Sequence, residues 1–313
     1  MKVVRLDNAA RPPVFVEDTY PVPQPGKGEL LVRVFAAGLM PTELSWYPTF
    51  HTKTGEPRIG AVPGHEFSGV MAGVGDDAGP FQIGQEVFGM NDWFSHGAMA
   101  EYCIAPLDAV AVKPRSLAHS EAASVPISAL TAWQALIDHA RIQPGESVLI
   151  HGGAGAVGIF AIQLARLHGA NVTTTVSARD SDFVSSLGAA QVIDYRTSRF
   201  EELVTGMDVV FDTVGGDTLE RSWGVLKPGG RLVTVASAAE GSAAPRIQKA
   251  FFIVQPNAKQ LNDVATLLVD RKVRTIVDTV LSLSQAPDAY AGKTPKRSRG
   301  KMVVAVVDSS SSY

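Results

Sequence analysis

The amino-acid sequence predicts an α/β protein in which a β-rich domain is joined to a domain with a doubly wound parallel sheet. Its 313 residues are enough for two domains of about 100–200 residues each. Short strand patterns separated by Gly and Pro turns fill the chain up to about residue 120, which indicates a compact, mainly antiparallel β domain. From residue 147 onward strands and helices alternate regularly, which indicates a parallel sheet covered on both faces.

The individual elements follow from the spacing of apolar residues. The clearest strand covers residues 30–37, where apolar even-numbered positions alternate with Leu31, Arg33 and Phe35. The other strand patterns of the first part lie at residues 3–6, 14–16, 69–74, 86–89, 98–104 and 110–112. A helix pattern then begins near residue 120. In the second part, strands are predicted at 147–150, 171–176, 191–194, 208–212 and 231–236. Helices are predicted at 155–168, 200–205 and 217–226, and a further helix is predicted to end near residue 187.

The end of the chain departs from this alternation. A helix pattern at residues 261–270 is followed by strand patterns at 275–280 and 301–307. Because these elements do not continue the order of the parallel sheet, we expect them to return to the first domain.

Composition limits the classes of partner and site. The chain carries 28 basic and 31 acidic residues, a net charge of −3, so neither nucleic acid nor an anionic membrane is indicated as the main partner. Its one cysteine, Cys103, forbids an intrachain disulfide and a four-cysteine zinc site. The charged start of the sequence and the four glycines that interrupt the uncharged stretch 147–165 indicate neither a targeting segment nor a membrane span. We therefore expect a cytoplasmic protein with Cys103 as a small core residue.

The most informative segment follows the first strand of the alternating part. Gly153, Gly155 and Gly158 form a GxGxxG pattern between an apolar strand and an amphipathic helix. The first glycine permits a tight turn, the second lets the backbone approach a pyrophosphate, and the third allows the helix to pack against the strand. We expect a dinucleotide site here that includes Ala156 and Val157, while a Gly-rich turn of another doubly wound domain is the alternative.

The tip of the second strand predicts the type of nicotinamide cofactor. NAD enzymes usually place an acidic residue there, about 20 residues on, to bind the ribose hydroxyls. This chain has Ser177 and Arg179 instead, and Arg179 is suited to a 2′-phosphate. The residues thus favour NADPH. There are two alternatives: Arg179 is an exposed surface residue, or Asp180 is a displaced acidic ligand of the ribose.

Motifs along nearly the whole chain carry a family resemblance. They are VPGHEFSG at 62–69, ALTAW at 129–133, HGGAGAVG at 151–158, LGA at 187–189, VIDY at 192–195, FDTVGG at 211–216, LKPGG at 226–230 and GK at 300–301. With these motifs the chain resembles the medium-chain dehydrogenase/reductase superfamily, in its zinc-independent quinone oxidoreductase and enoyl reductase branch.

The resemblance implies a GroES-like β-rich catalytic domain with an inserted Rossmann domain. The expected catalytic domain comprises residues 1–123 and 258–313, the expected NADPH-binding domain comprises 124–257, and the active site lies in the cleft between them. The resemblance also implies cofactor contacts by Thr131 near the nicotinamide, Val214 and Gly215 at the ribose, Ala236 at the end of the last strand, Phe252, Ile253 and Val254 at the carboxamide, and Tyr195 near the adenine or its phosphate. Relatives commonly dimerise at the edge of the Rossmann sheet, so a homodimer through residues 232–235 or 250–254 is expected.

A catalytic zinc is not predicted. His65 lies where zinc-dependent relatives have a histidine ligand, but Met40 stands at their first cysteine position and residues 124–133 contain no Cys, His or acid. A catalytic zinc needs three protein ligands, and a thioether is a poor one. We therefore interpret Met40 and His65 as pocket residues, and Glu66 as a structural residue paired with a cation.

Without a Lewis acid, reduction of a quinone or an α,β-unsaturated carbonyl compound is favoured over alcohol oxidation, because the developing oxygen anion needs only hydrogen-bond donors and a proton. Glu43 and Tyr47 are the candidate catalytic residues, with Tyr47 as a possible proton donor. The alternative is that Trp46 and Tyr47 are loop aromatics that only fill the wall of the pocket. Trp93 and Phe94 favour a flat apolar substrate, or else form a buried turn. An NADPH-binding protein without turnover and a degenerate zinc alcohol dehydrogenase remain as other functions.

Overall fold

The described residues, 1–10, 12–77, 79–295 and 299–307 of a computed structural model, form two large β-sheets and a separate two-stranded ribbon. The strands are β1 (Lys2–Asp7), β2 (Val14–Thr19), β3 (Glu29–Leu39), β4 (Glu66–Val74), β5 (Glu86–Met90), β6 (Tyr102–Pro106), β7 (Val110–Val112), β8 (Ser147–His151), β9 (Asn171–Val176), β10 (Gln191–Asp194), β11 (Met207–Asp212), β12 (Leu226–Thr234), β13 (Val277–Ser282) and β14 (Lys301–Ala305). The helices are α1 (Tyr47–Phe50), α2 (His119–Ala123), α3 (Pro126–Trp133), α4 (Ala156–Leu167), α5 (Ser181–Leu187), α6 (Phe200–Leu203), α7 (Gly216–Ser222), α8 (Pro245–Ala250), α9 (Ala258–Val269) and α10 (Ala286–Tyr290).

The first sheet has seven strands and carries the β-rich part of the fold. Its order is β13-β14-β3-β4-β5-β7, and β6 also pairs with β3. All neighbours are antiparallel except β13 and β14. Along β3 the predicted alternation holds only from Val32 to Ala36. Leu31 is buried as well, beside a first register shift, and a second shift between Val34 and Ala36 leaves both Ala36 and Ala37 buried.

The C-terminal strands return to this sheet, as their position outside the alternating pattern predicted. β14 pairs with the central strand β3, and β13 pairs with β14 at the edge. The preceding helix α9 packs against α3 and β7, so it lies where the two sheets meet. The domain boundaries at 124 and 258 stay a prediction.

The second sheet is parallel and has the order β10-β9-β8-β11-β12. Alternate residues of its strands enter different apolar clusters: Val148 and Ile150 lie in one, and Leu149 and Val210 in another. Both faces are therefore covered, which confirms the doubly wound prediction. The chain turns from one side of β8 to the other between β10 and β11, and ligands of such sheets bind at this switch point, beyond the carboxyl ends of the strands.

Several local features differ from the predicted pattern. The helix predicted at 217–226 ends at Ser222, and the strand predicted from residue 231 begins at Leu226. Residues 98–101 are not part of a strand, and β6 begins only at Tyr102. Helix α3 changes at Gln134 into a π-helical segment, Gln134–His139. The sequence did not predict this change, because the wider turn is not visible in apolar periodicity. No helix of the described residues is long and apolar enough to cross a membrane.

Candidate functional site

The glycine loop lies at the switch point of the parallel sheet, between β8 and α4. A Cβ added to Gly158 would collide with the carbonyl oxygen of Gly152, so helix and strand can pack this closely only with glycine. At Gly155 the nearest atom to an added Cβ is the same oxygen at 3.2 Å, and the residue is exposed. The loop is thus tight behind Gly158 and open in front of Gly155, as a pyrophosphate cradle requires.

Helix α4 begins directly at this open side. Gly155 is its N-cap, and no side chain caps the helix. Ala156 and Val157 form the first turn and are only partly buried. Since the first N–H groups of a helix have no partner within it, they can donate to an anion. The geometry fits a dinucleotide pyrophosphate.

A network of charged side chains holds the tip of β9. The Ser177 hydroxyl donates to Oδ2 of Asp180 at 2.8 Å, and Nε of Arg299 donates to Oδ1 at 2.7 Å. Arg299 also donates to the Arg179 carbonyl oxygen at 2.8 Å. Asp180 is buried by these contacts, whereas the Arg179 side chain is 60% exposed. Both carboxylate oxygens of Asp180 are therefore engaged by the protein, and the accessible group at this tip is the Arg179 guanidinium.

The loop after β11 borders the same edge of the sheet. Backbone N–H groups of Val214 and Gly215 donate to the buried Asp212 carboxylate, which also accepts from the Thr234 hydroxyl at 2.8 Å. An added Cβ on Gly215 would lie 2.6 Å from Cβ of Ala236. Asp212 thus brings Val214, Gly215 and Ala236 together at the strand ends, and Val214 stays exposed.

Other predicted cofactor residues lie around this edge. Tyr195 follows β10, is exposed, and donates its backbone N–H to Val176 at the end of β9. Thr131 is buried in α3. Phe252 donates its backbone N–H to the Thr234 carbonyl oxygen at 3.3 Å, and Ile253 is exposed.

The segment after Phe252 is fastened to both parts of the fold. The Gln134 side chain donates to the Gln255 carbonyl oxygen at 2.8 Å and accepts from its N–H at 3.0 Å. The Trp93 indole N–H, from the β-rich part, donates to the Val254 carbonyl oxygen at 3.0 Å. Trp93 therefore lies at the junction between the β-rich part and the predicted nicotinamide region.

A buried polar cluster lies beside Trp93. Oε1 of Glu43 is 3.1 Å from Nδ1 of His65, and Oε2 accepts a 2.5 Å hydrogen bond from the Tyr290 hydroxyl. The Gly64 N–H donates to both oxygens at 3.1 Å. Burial and the nearby Glu43 raise the pKa of Tyr290 well above its usual value, so the phenol stays protonated and donates to the carboxylate.

The remaining predicted pocket residues surround this cluster on one side. The rings of Trp46 and Trp93 meet edge to face at 5.2 Å, and His65 is 5.3 Å from Trp93. Met40 and Trp93 are both partly buried against the apolar core of the parallel-sheet part. Phe94 is partly buried on the same loop. Tyr47 is different: it is 47% exposed and stacks on His51 at 4.3 Å.

Comparison with known proteins gives the family. The model of the alcohol dehydrogenase GroES-like domain matches residues 26–115, and that of the zinc-binding dehydrogenase matches residues 187–304. A probable zinc-binding mitochondrial oxidoreductase of Arthroderma benhamiae is 33% identical over 92% of this chain and 92% of its own length. This chain belongs to the medium-chain dehydrogenase/reductase superfamily.

Two further comparisons agree with this placement. The quinone oxidoreductase of Coxiella burnetii superposes with a TM-score of 0.87 at 32% identity, covering 98% of this chain and 99% of that one. The 2-methylene-furan-3-one reductase of Solanum lycopersicum is 32% identical over 92% of this chain and 74% of its own length. The GroES-like and Rossmann architecture expected from the motifs is thereby confirmed for this member of the superfamily.

The side chains at the expected zinc-ligand positions do not fit a catalytic zinc, although one matching family model is named a zinc-binding dehydrogenase. A catalytic zinc needs three protein ligands, and Met40, which stands at the first cysteine position, offers only a thioether. No group of three or more His, Cys, Asp and Glu side chains in the described ranges is arranged to hold a metal ion.

Glu66 has the structural role that the sequence suggested. Its Oε1 forms an ion pair with Nζ of Lys301, and Oε2 accepts the Ile127 N–H at 2.9 Å. Burial raises the pKa of Glu66, and the Lys301 charge opposes that rise. Cys103 is buried among apolar side chains, and burial raises the pKa of its thiol to about 12.

Three residues of the site escaped the sequence analysis. Tyr290 lies more than two hundred residues from Glu43, so no local pattern connects them. Arg299 contacts Asp180 and directly precedes the GK motif at 300–301. Its position next to a recognised motif was a signal that could have identified it. Gln134 lies in the π-helical segment, a form that often marks functional sites.

Proposed function

We propose that this protein is a zinc-independent, NADPH-dependent reductase of quinones or α,β-unsaturated carbonyl compounds. One observation carries the proposal: a dinucleotide cradle lies in one fold with a buried Glu43–His65 pair that can present a hydrogen-bond donor to a substrate oxygen, and the described residues hold no group of three metal-ligating side chains. An oxygen anion that develops during reduction needs hydrogen-bond donors and a proton.

The preference for NADPH rests on the tip of β9. The Asp180 carboxylate, which could otherwise accept from a ribose, is engaged by Ser177 and Arg299. The Arg179 side chain is 60% exposed, with its Nε 3.5 Å from Oδ2 of Asp180, and its terminal nitrogens suit bidentate pairing with a 2′-phosphate. When bound, NADPH supplies a hydride from its nicotinamide ring.

The substrate class follows from the walls of the cleft. Trp46 and Trp93 present aromatic surfaces beside His65, and such surfaces favour a flat, apolar molecule. Glu43 belongs to the catalytic cluster in this proposal. Tyr47, the proton donor that the sequence suggests, is exposed and lies outside the buried cluster, and an unchanged kcat on an enone after Tyr47→Phe would remove it from that role.

The names of the relatives agree with this substrate class. One compared protein is named a quinone oxidoreductase and another a 2-methylene-furan-3-one reductase. The latter name describes an unsaturated ketone, so both chemistries of the proposal occur among proteins that resemble this chain at 32% identity.

A substrate panel tests the proposal. Purified protein is mixed with NADPH and either 9,10-phenanthrenequinone or an alkyl vinyl ketone, and cofactor oxidation is followed. Turnover that persists after treatment with a chelator is expected. Tight NADPH binding without turnover on a broad panel would favour a binding protein instead, and stoichiometric zinc lost together with activity would favour an alcohol dehydrogenase.

The proposal includes a homodimer in the cytoplasm. β12 is the outer strand of the parallel sheet, and along its outer edge Thr234 forms a bridge with Phe251. A second copy is proposed to pair at this edge. Light scattering during gel filtration measures the mass, and twice the chain mass of 33.2 kDa is expected.

A further inference from the structure

One polar atom of the buried cluster has no partner. His65 is 3% exposed, and its Nε2 makes no hydrogen bond to any of the described residues. Nearly all buried polar side-chain atoms are hydrogen-bonded in folded proteins, so such an atom calls for an explanation. A substrate atom that completes the bond is one.

The contacts of the cluster fix the role of each proton. An ionised Glu43 is an acceptor only, and it accepts from the Tyr290 hydroxyl, from the Gly64 N–H and from Nδ1 of His65. Nδ1 therefore carries a proton. Nε2 is the end of this chain of hydrogen bonds, buried and without a partner among the described residues.

The His65 ring, whose Nε2 has no partner among the described residues, lies beside the junction between the β-rich part and the predicted nicotinamide region. The Trp93 ring is 5.3 Å from the His65 ring, and the Trp93 indole N–H is bound to the Val254 carbonyl oxygen. His65 is thus flanked by Glu43 on its Nδ1 side and by an aromatic wall that reaches the cofactor segment. Tyr47, by contrast, is exposed at the start of α1.

We propose that His65 donates a proton from Nε2 to the carbonyl or quinone oxygen of the substrate, and that Glu43 and Tyr290 position its ring. This inference rests on the proposed reductase function. For an enone, the hydride from NADPH forms a C–H bond at the β-carbon, the C=C π electrons shift to form an enolate, and the enolate oxygen takes the Nε2 proton of the imidazolium. The resulting enol tautomerises to the saturated ketone, and His65 remains neutral with its Nδ1–H bonded to Glu43.

Turnover of His65→Gln provides the main test. Glutamine keeps an amide donor but has no proton to give, so kcat on an enone should fall by about 10²–10⁴-fold, with NADPH affinity and melting temperature close to wild type. His168→Gln, at the end of α4, is the matched control and should retain full turnover. In His65→Ala, added imidazole should restore part of the lost rate.

A binding measurement gives a readout independent of turnover. In protein labelled with ¹⁵N-histidine, cyclohexanone added in the presence of NADP⁺ should shift the Nε2 signal that is missing in His65→Gln. Glu43→Gln should lower kcat more than it raises KM, and Tyr290→Phe should do so to a smaller extent, because both leave the wall of the pocket in place.

The outcomes separate the two proposals. If wild-type protein reduces neither quinone nor enone, the reductase function fails and the inference fails with it. If wild type turns over but His65→Gln retains its kcat, or the Nε2 signal does not respond to the ketone, only the role of His65 is overturned.

Discussion

At the scale of single residues, the side chains around Asp180 decide which cofactor fits. The sequence placed Ser177, Arg179 and Asp180 at the right strand tip, but it left open whether Asp180 binds a ribose. The structure adds that Ser177 and Arg299 engage its carboxylate. Arg299 comes from more than one hundred residues away, which is why sequence spacing alone could not close the question.

Arg179→Ala should raise KM for NADPH by about tenfold, the equivalent of about 1.4 kcal/mol, and leave KM for NADH nearly unchanged. The reason is that only NADPH carries the 2′-phosphate that pairs with the guanidinium. Steady-state kinetics with both cofactors measure the effect. Arg115→Ala, an exposed arginine of the β-rich part, is the control. An equal change with both cofactors would contradict the assignment.

At the scale of elements, the strand–loop–helix unit from β8 to α4 was predictable in nearly every detail. Glycine positions, strand length and helix periodicity all point to the same geometry, and the observed bounds differ from the predicted ones by one residue at most ends. The π-helical segment after α3 was not predictable. Its residues Gln134, Ala135 and Leu136 stay buried, so the burial pattern gives no sign of the wider turn.

Two glycine substitutions separate packing from cofactor binding. Gly155→Ala should keep the melting temperature within a few degrees of wild type and weaken NADPH binding, because the new methyl group occupies the open side of the cradle. Gly158→Ala should lower the melting temperature markedly, because its methyl group meets backbone atoms of the loop. Calorimetry and a fluorescence titration with NADPH measure both quantities. Equal stability losses in the two variants would contradict this division.

His151 makes the end of β8 sensitive to acid. Its ring lies between the Thr175 and Ser222 hydroxyls, each at 3.0 Å, and burial lowers its pKa to about 4. Between this value and the ordinary pKa of about 6.5, the unfolded chain binds more protons than the folded one. Stability should therefore fall as the pH drops through this window, and the contribution of His151 between pH 7 and pH 5 is about 2 kcal/mol.

His151→Gln tests this pH dependence, because glutamine does not titrate. Denaturant unfolding of the variant should lose less stability than wild type between pH 7 and pH 5, by about 2 kcal/mol. The variant is also less stable at pH 7, so the comparison uses the change with pH within each protein. Parallel losses in the two proteins would show that His151 is not responsible.

At the scale of the whole molecule, residues 299–301 hold the two parts of the fold together. Arg299 contacts Asp180, Gly300 donates its N–H to the Ala154 carbonyl oxygen at 3.1 Å in the glycine loop, and Lys301 pairs with Glu66. The sequence predicted a cation for Glu66 but not which one. It also predicted that the last strands return to the first sheet, which the pairing of β14 with β3 confirms.

Lys301→Met should destabilise the protein by about 3–5 kcal/mol, because Glu66 would remain buried without its partner charge. In the double variant with Glu66→Gln, much of this loss should be recovered, since no uncompensated charge remains. Unfolding free energies from denaturant titrations complete the double-mutant cycle. Strictly additive losses would mean that Lys301 and Glu66 do not depend on each other.

The central claim is direct hydride transfer from NADPH to an unsaturated carbonyl compound without a metal. NADPH carrying deuterium at both C4 positions, incubated with chelator-treated protein and an alkyl vinyl ketone, tests it most directly. We expect the saturated ketone to gain one deuterium on its former β-carbon, at a rate that added zinc does not raise. A product without deuterium, or turnover only after zinc is added, would contradict the account.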